Sequence, residues 1–507
     1  MLAQLLSALY SCKRPHQNHH LFGDTLEEMV KPEPAIGSQL SSSLTTEGSS
    51  PIRHLRPSWV NKNIGLLLGA RISMSAARAM IAVVFPVYLA LTGMSAFQIG
   101  LVFFAAAGGA ALISVGVGAL SDMLGRKPFL LIVPLLAAFS ALLISFTTST
   151  AAFFVAAALG SFGRGGGAGG GMIGPYQPAE QALATESTNA SNRNAVFGGL
   201  ASASSLGALI GGLLIGLLMH HHPGSSLLSE YRPAFLLVAL GAATAGTLAI
   251  WLSTPTEHAN SKRRRTNSTP KEQGLSRYEE HPVVTASPQG TSTQPLKKGF
   301  FPRKSRSLLL RLAFTNSLNG AAVGMIGPFV VYWFFRRFGV GPSTMGYLFA
   351  ITNAASMVSN LSAARFARKW GTVGATVIFR AIQALLLIPL ALAPSFVIAA
   401  SIYLVRMLAQ RVALPLRQSY TMAVADPEER ARVAALSTLP SQVTSSSTPV
   451  LAGYLFDHAL LALPFELGSV LQLANTTAFY YFFHDLPPAE ESSTSTERSD
   501  SVEEGLA

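Results

Sequence analysis

Residues 97–127 read FQIGLVFFAAAGGAALISVGVGALSDMLGRK, and this stretch decides the fold. Its apolar part runs without a charge for longer than the roughly 20 residues that a helix needs to cross about 30 Å of hydrocarbon. It ends on Asp122, Gly125, Arg126 and Lys127. A residue free to adopt positive φ and two cations close a span at a basic membrane face, and Asp122 is not explained by that rule. Similar runs, IGLLLGARISMSAARAMIAVVFPVYLAL from Ile64 among them, recur along most of the chain.

A chain of 507 residues that is 49% hydrophobic and 12% charged is too apolar for ordinary soluble domains, so burial in a bilayer explains it. The formal charge of +12 falls mainly between spans, where a cytoplasmic face collects Lys and Arg, so a nucleic-acid partner is not expected. The lone Cys12 excludes a disulfide framework and a multi-cysteine metal site. The opening MLAQLLSALY precedes Lys13 and Arg14, the reverse of a secretory signal, and reads as part of a retained tail.

Twelve apolar segments follow from the pattern: 63–92, 97–120, 128–147, 151–180, 195–219 and 232–253, then 306–336, 342–366, 372–392, 394–422, 433–456 and 461–483. The expected fold is an all-α membrane protein of twelve transmembrane helices in two six-helix, pseudo-symmetric halves. The expected organisation is a disordered cytoplasmic tail at 1–62, a six-helix bundle at 63–253, and a basic central cytoplasmic loop at 254–305. A second bundle at 306–484 and an acidic tail at 485–507 complete it. Arg126 and Lys127, Arg193, the central loop, Arg365, Arg368, Lys369, Arg430 and Arg432 share one side, which the positive-inside rule makes cytoplasmic, with both termini there. Arg232, Arg336 and Arg337 are the exceptions on the opposite face. Gly100 and Gly346, like Gly125 and Gly371, are 246 residues apart, the mark of a duplicated half.

Gly118-Ala-Leu-Ser-Asp122-Met-Leu-Gly125-Arg126-Lys127 is similar to the loop signature G-x-x-x-D-x-x-G-R-K of the major facilitator superfamily, in the turn after the second span where that signature stands. The resemblance implies the fold of that family and a cytoplasmic latch made by Gly118, Asp122, Gly125, Arg126 and Lys127. Gly118 would allow close helix approach and Asp122 would pair with Arg126 or cap a neighbouring helix. In the second half Gly371 is kept but Arg368 replaces the acid, so the second latch is degenerate. Residues 203–212, with Gly207, Gly211 and Gly212, resemble the antiporter signature G-x-x-x-G-P-x-x-G-G of the family. Ala203 and Ala208 replace its first Gly and its Pro, and plain small-residue packing explains the stretch equally. Pro449 and Gly453 echo it in the eleventh span. That resemblance implies efflux by exchange.

Ionisable residues inside spans are costly and therefore are the functional candidates. Here they are mostly arginines: Arg71, Arg78, Arg164, Arg380, Arg406 and Arg411. Arg71 is expected to snorkel to the surface and Arg78 to face a cavity. Arg164 lies within the run GSFGRGGGAGGG, where the family often carries a buried arginine, and the run reads as close packing. Asn316, Asn319 and Gln442 offer polar contacts to a solute or to neighbouring helices. Glu180 is the candidate coupling acid, and Asp457 and Glu466 lie near the far side. His220, His221 and His222 read as a solvated loop, with no metal site.

The functional expectation is a monomeric secondary transporter in the lipid bilayer of a plasma membrane, of the bacterial inner type. It moves a small-molecule substrate by alternating access, as proton-coupled efflux of drugs or metabolites. An arginine-lined organic-anion carrier or facilitator, and a transport-inactive receptor or sensor, are the alternatives. Without a phosphate loop, an H-E-x-x-H pair or a G-x-S-x-G elbow, neither an ATPase nor an enzyme is expected, nor any cofactor.

Overall fold

A computed structural model describes residues 60–162, 174–188, 192–219, 227–253, 305–424 and 430–484. The chain divides into Met1–Val60 and Asn61–Ala507, and every helix described lies in the second part. The expected tails, the central loop, Arg164 with most of its glycine run, and the three consecutive histidines lie outside the described residues.

Fifteen α-helices are described: α1 Lys62–Leu91, α2 Ala96–Leu124, α3 Lys127–Phe146, α4 Thr150–Gly160, α5 Gln177–Glu186, α6 Arg193–Leu218, α7 Leu227–Leu248, α8 Arg306–Ile326, α9 Val330–Phe338, α10 Pro342–Trp370, α11 Thr372–Leu385, α12 Leu387–Leu392, α13 Phe396–Val424, α14 Arg430–Asp457 and α15 Leu463–Phe483. Local chemistry sets their ends. Asn61 caps α1 by accepting from the Ile64 N–H at 2.9 Å, and Ser95 with Gln98 forms a capping box on α2. Gly125 at φ 84° and Gly371 at φ 70° make the equivalent turns α2–α3 and α10–α11, in a region that disfavours any residue with a Cβ.

Each expected segment coincides with one helix or a broken pair, and the breaks are where the expectation needs correcting. The fourth segment is not continuous: α4 stops at Ser161 in the left-handed region (φ 56°) and helix resumes at α5. The seventh breaks between α8 and α9, around Gly327 and Pro328, and the ninth between α11 and α12. Among the described residues, eight helical spans are long and apolar enough to cross a membrane. One that falls short is α14, whose centre reads STLPSQVTSSSTP; its neighbours within the protein, α8 and α2, cover it.

Packing repeats between the halves. The α1–α6, α1–α7, α3–α7, α2–α4 and α3–α4 contacts have counterparts in α8–α14, α8–α15, α11–α15, α10–α13 and α11–α13. Across the halves, α2 packs on α14 and α6 on α10, as a two-fold relation requires. Both seams are tight near the face opposite the Arg126–Lys127 turn. A Cβ on Gly100 would lie 2.5 Å from the Pro449 carbonyl, and one on Gly346 would lie 2.7 Å from that of Gly212. The glycines that share the 246-residue offset thus occupy equivalent points of the two seams. An aromatic cluster completes the closure, with Phe329 edge-on to Phe103 at 5.5 Å and tilted against Phe456 at 5.2 Å. Two of the three far-face arginines are anchored on rings, Arg232 over Phe146 and Arg337 over Trp333.

Candidate functional site

On the far face, one carboxylate joins the halves. Asp457, at the end of α14, accepts from the Ala96 N–H at 2.7 Å and the Phe97 N–H at 2.9 Å. It therefore places a negative charge on the two leading N–H groups of α2, where the helix dipole favours it. At the pseudo-equivalent seam Ser343 Oγ donates to the Gly216 carbonyl at 2.7 Å. Asp457 had no role in the sequence reading because what it caps lies 360 residues away. The cross-half contacts cited lie on this face, so the conformation is closed there.

On the near face, Arg126 forms an ion pair with Glu186, the last residue of α5, at 2.6 Å. Both side chains are partly exposed, so the pair contributes little to stability. Gly118 meets nothing within 4 Å, so the close approach expected of it is absent in this conformation. Asp122 lies on α2 one turn before Gly125 and Lys127 begins α3; the Asp122 side chain lies outside what is described.

The antiporter-like residues turn out to be packing positions. A Cβ on Gly207 or Gly211 would lie 2.2–2.3 Å from the α1 carbonyls of Ile72 and Ala76, and Gly212 faces α10. Gly453 faces Ala96 and Phe97 in the same manner, and Pro449 faces Gly100.

In the N-terminal half the arginines have local partners. Arg71 does not snorkel: it is 3% exposed and grips Glu180 with two N–H groups, Nε donating to Oε1 at 2.8 Å and Nη2 to Oε2. Burial without such a partner would cost several kcal/mol, about 3–5 if the pair were broken. Two turns further along the same face of α1, Arg78 Nη1 donates to the Ser161 carbonyl at 3.4 Å, at the break of the fourth span, with Gly174 and Tyr176 beside it.

The C-terminal half differs. Arg380, Arg406 and Arg417 are each less than a tenth exposed, and among the described residues no carboxylate stands within ion-pair distance of any of them. Arg380 Nη1 donates to Asn319 Oδ1 at 3.1 Å, so two predicted residues meet. Asn475, with its amide turned to satisfy both neighbours, accepts from Arg380 Nη1 at 2.5 Å and donates to the Thr315 carbonyl at 2.7 Å. Gln472 Nε2 donates to the same Asn319 oxygen at 3.5 Å. Arg411 Nη2 donates to Asn353 Oδ1 at 3.4 Å. Asn316 donates to the Ser437 carbonyl at 2.7 Å, a helix-to-helix bond. Gln442 is half-buried on α14, its carbonyl accepting from Ser445 and Ser446. Sequence reasoning missed Arg417, although it stands eleven residues after Arg406, three helical turns along the same face.

Comparison with known proteins agrees with this architecture. A sequence model of the Major Facilitator Superfamily matches residues 67–410 and 312–504. No curated protein matches the chain. Among solved structures, the chain is similar to a bacterial homolog of the human lysosomal transporter Spinster in an inward-facing, unoccupied conformation (15% identity, TM-score 0.57, covering 86% of this chain and 96% of that one). It is also similar to a D-xylose–proton symporter (13%, 0.59, 82% and 95%) and to the peptide transporter POT in complex with sulfate (12%, 0.59, 83% and 94%). At these identities the likeness is one of fold.

Proposed function

This chain belongs to the Major Facilitator Superfamily, and from that premise we propose that it carries a small anionic solute across the membrane by alternating access. The observation that carries this reading is the charge balance of the C-terminal half: Arg380, Arg406 and Arg417 are buried there, and among the described residues none has an ion-paired carboxylate. Buried cations are retained where a partner arrives, and a guanidinium fork suits a carboxylate or phosphate. The glycines that resemble an antiporter signature sit at helix contacts.

With the Arg126–Lys127 face in the cytoplasm, the conformation described is the inward-opening one. Asp457 then belongs to the outer gate, and Gly118, Asp122, Gly125, Arg126 and Lys127 to the inner latch that engages when the near face closes. The bundles 63–253 and 306–484 rock about the two seams. We place the protein in a plasma membrane of the bacterial inner type, where short loops between spans are common.

Flux into liposomes containing the purified protein, with anionic, neutral and cationic solutes, tests the reading. Anion flux that falls in Arg406→Gln supports it; flux of cations alone contradicts it. A second reading, proton-coupled efflux, is favoured by Glu180, a buried carboxyl gripped by Arg71. Its test is solute accumulation under an imposed pH gradient, which must vanish in Glu180→Gln if this carboxyl carries the proton.

A further inference from the structure

Heptad spacing along α6 follows the second seam from its closed end to its open one. Gly212 is in contact with α10: a Cβ there would lie 2.7 Å from the Gly346 carbonyl. Seven residues nearer the near face, Ser205 is buried; seven further again, Gly198 meets nothing within 4 Å. Seven residues are almost two helical turns, so the three share one face of α6. The halves therefore touch as far as Ser205 and part beyond it, which puts the apex of the near-face cleft close to the middle of α6.

The facing helix α10 brings a cation to that apex. Asn353 follows Gly346 by seven residues, on the face that meets α6, and is fully buried. Its Nδ2 donates to the Phe349 carbonyl at 2.8 Å, which fixes the amide and leaves Oδ1 as the acceptor for α13. Arg411 Nη2 donates to that oxygen at 3.4 Å. Ser359 Oγ donates to the Leu408 carbonyl at 3.0 Å and holds α13 to α10 just before Arg411. Asn353 and Arg411 both stand near the middle of their helices. Arg380, Arg406 and Arg417 are buried, whereas Arg411 is half-buried. Its guanidinium is thus carried from α13 to the inter-half face of α10, at the edge where the contact ends and the cleft begins. A neutral amide orients the guanidinium fork without cancelling its charge.

We propose that Arg411 makes the first contact with the transported anion, receiving a single carboxylate group at the apex of the near-face cleft, and that Asn353 is its positioning residue. This deepens the anion reading above and rests on it. The place is the one that alternating access requires, between the halves near mid-membrane. One guanidinium at the apex matches one carboxylate, so the solute class is a small monocarboxylate.

The test is thermal unfolding of the full-length protein in detergent at constant ionic strength, titrated with propionate, propionamide or succinate. Propionate should raise the midpoint saturably and propionamide should not; succinate should gain nothing from its second carboxylate. Arg411→Gln should weaken propionate binding by about tenfold or more, the loss of a charged hydrogen bond. Arg411→Lys should restore part of it, since Lys keeps the charge but not the fork. Asn353→Asp is the sharper variant, and it reports on the site even if Arg411→Gln fails to fold. It keeps the shape and gives Arg411 an internal counter-ion, so the protein should fold and yet lose propionate binding, a loss that a purely structural Asn353 does not predict. The site is overturned by no saturable shift in the parent, by propionate binding unchanged in Arg411→Gln or Asn353→Asp, or by succinate bound about tenfold tighter, the worth of a second charged contact. Liposome flux separates the two levels. Anion flux unaltered in Arg411→Gln defeats this site alone, whereas cation flux without anion flux defeats the reading it rests on.

Discussion

The two halves share a helical plan and differ in charge. In the N-terminal half, Arg71 is buried against Glu180, which reaches it from the fourth span. In the C-terminal half Arg380, Arg406 and Arg417 are equally buried, and around Arg380 the amides of Asn319 and Asn475 stand where an acid would be expected. A duplicated fold tolerates the first arrangement as structure, because charge and partner are both internal. On the proposed reading the second leaves positive charge to be met from outside, with scaffolding in one half and recognition in the other.

Breaking the N-terminal pair should have the largest effect. Glu180→Gln leaves Arg71 charged and buried, at a cost of about 3–5 kcal/mol, seen as lost folded yield or a lowered unfolding midpoint; Arg71→Gln with Glu180→Gln should recover most of it. If the single variant is as stable as the parent, the halves do not differ in the way described. The corresponding change in the other half, Arg406→Gln, removes a charge that has no ion-pair partner among the described residues. It should leave stability without solute within about 1 kcal/mol while anion flux falls by about tenfold, the worth of one charged hydrogen bond. A large loss of stability there would make Arg406 scaffold too.

The seams carry a smaller version of the same contrast, one sealed by a carboxylate and the other by a hydroxyl. Asp457→Asn keeps the shape but removes the charge on two α2 N–H groups, and should weaken far-face closure by about 1–2 kcal/mol. Labelling of a cysteine introduced at the far-face end of the path should rise accordingly. Ser343→Ala at the partner seam should shift the same labelling by about 1 kcal/mol or less. Equal responses would show that the carboxylate adds nothing to closure.

Much of this architecture is legible in the sequence because apolar run length and turn chemistry are local. Gly125 and Gly371, 246 residues apart, make the same positive-φ turn, and Gly100 and Gly346 mark equivalent seam positions. The site was less legible, since partners are set by tertiary packing. Arg71 reads as a surface residue until Glu180 is brought to it from 109 positions away. Asp457 reads only as an acid near the far side until α14 is placed on α2. Gly118 has the residue type for a close contact, yet whether it makes one depends on which face is open. Arg417 lay within reach of helical periodicity, on the face of Arg406.

The most direct measurement is counterflow in liposomes with solutes of one skeleton and three charges: lactate, lactamide and 1-amino-2-propanol. The C-terminal arginines predict exchange of lactate, slower exchange of the neutral amide and none of the amine. Exchange of the amine with lactate excluded would contradict an anion carrier and return the protein to the efflux reading.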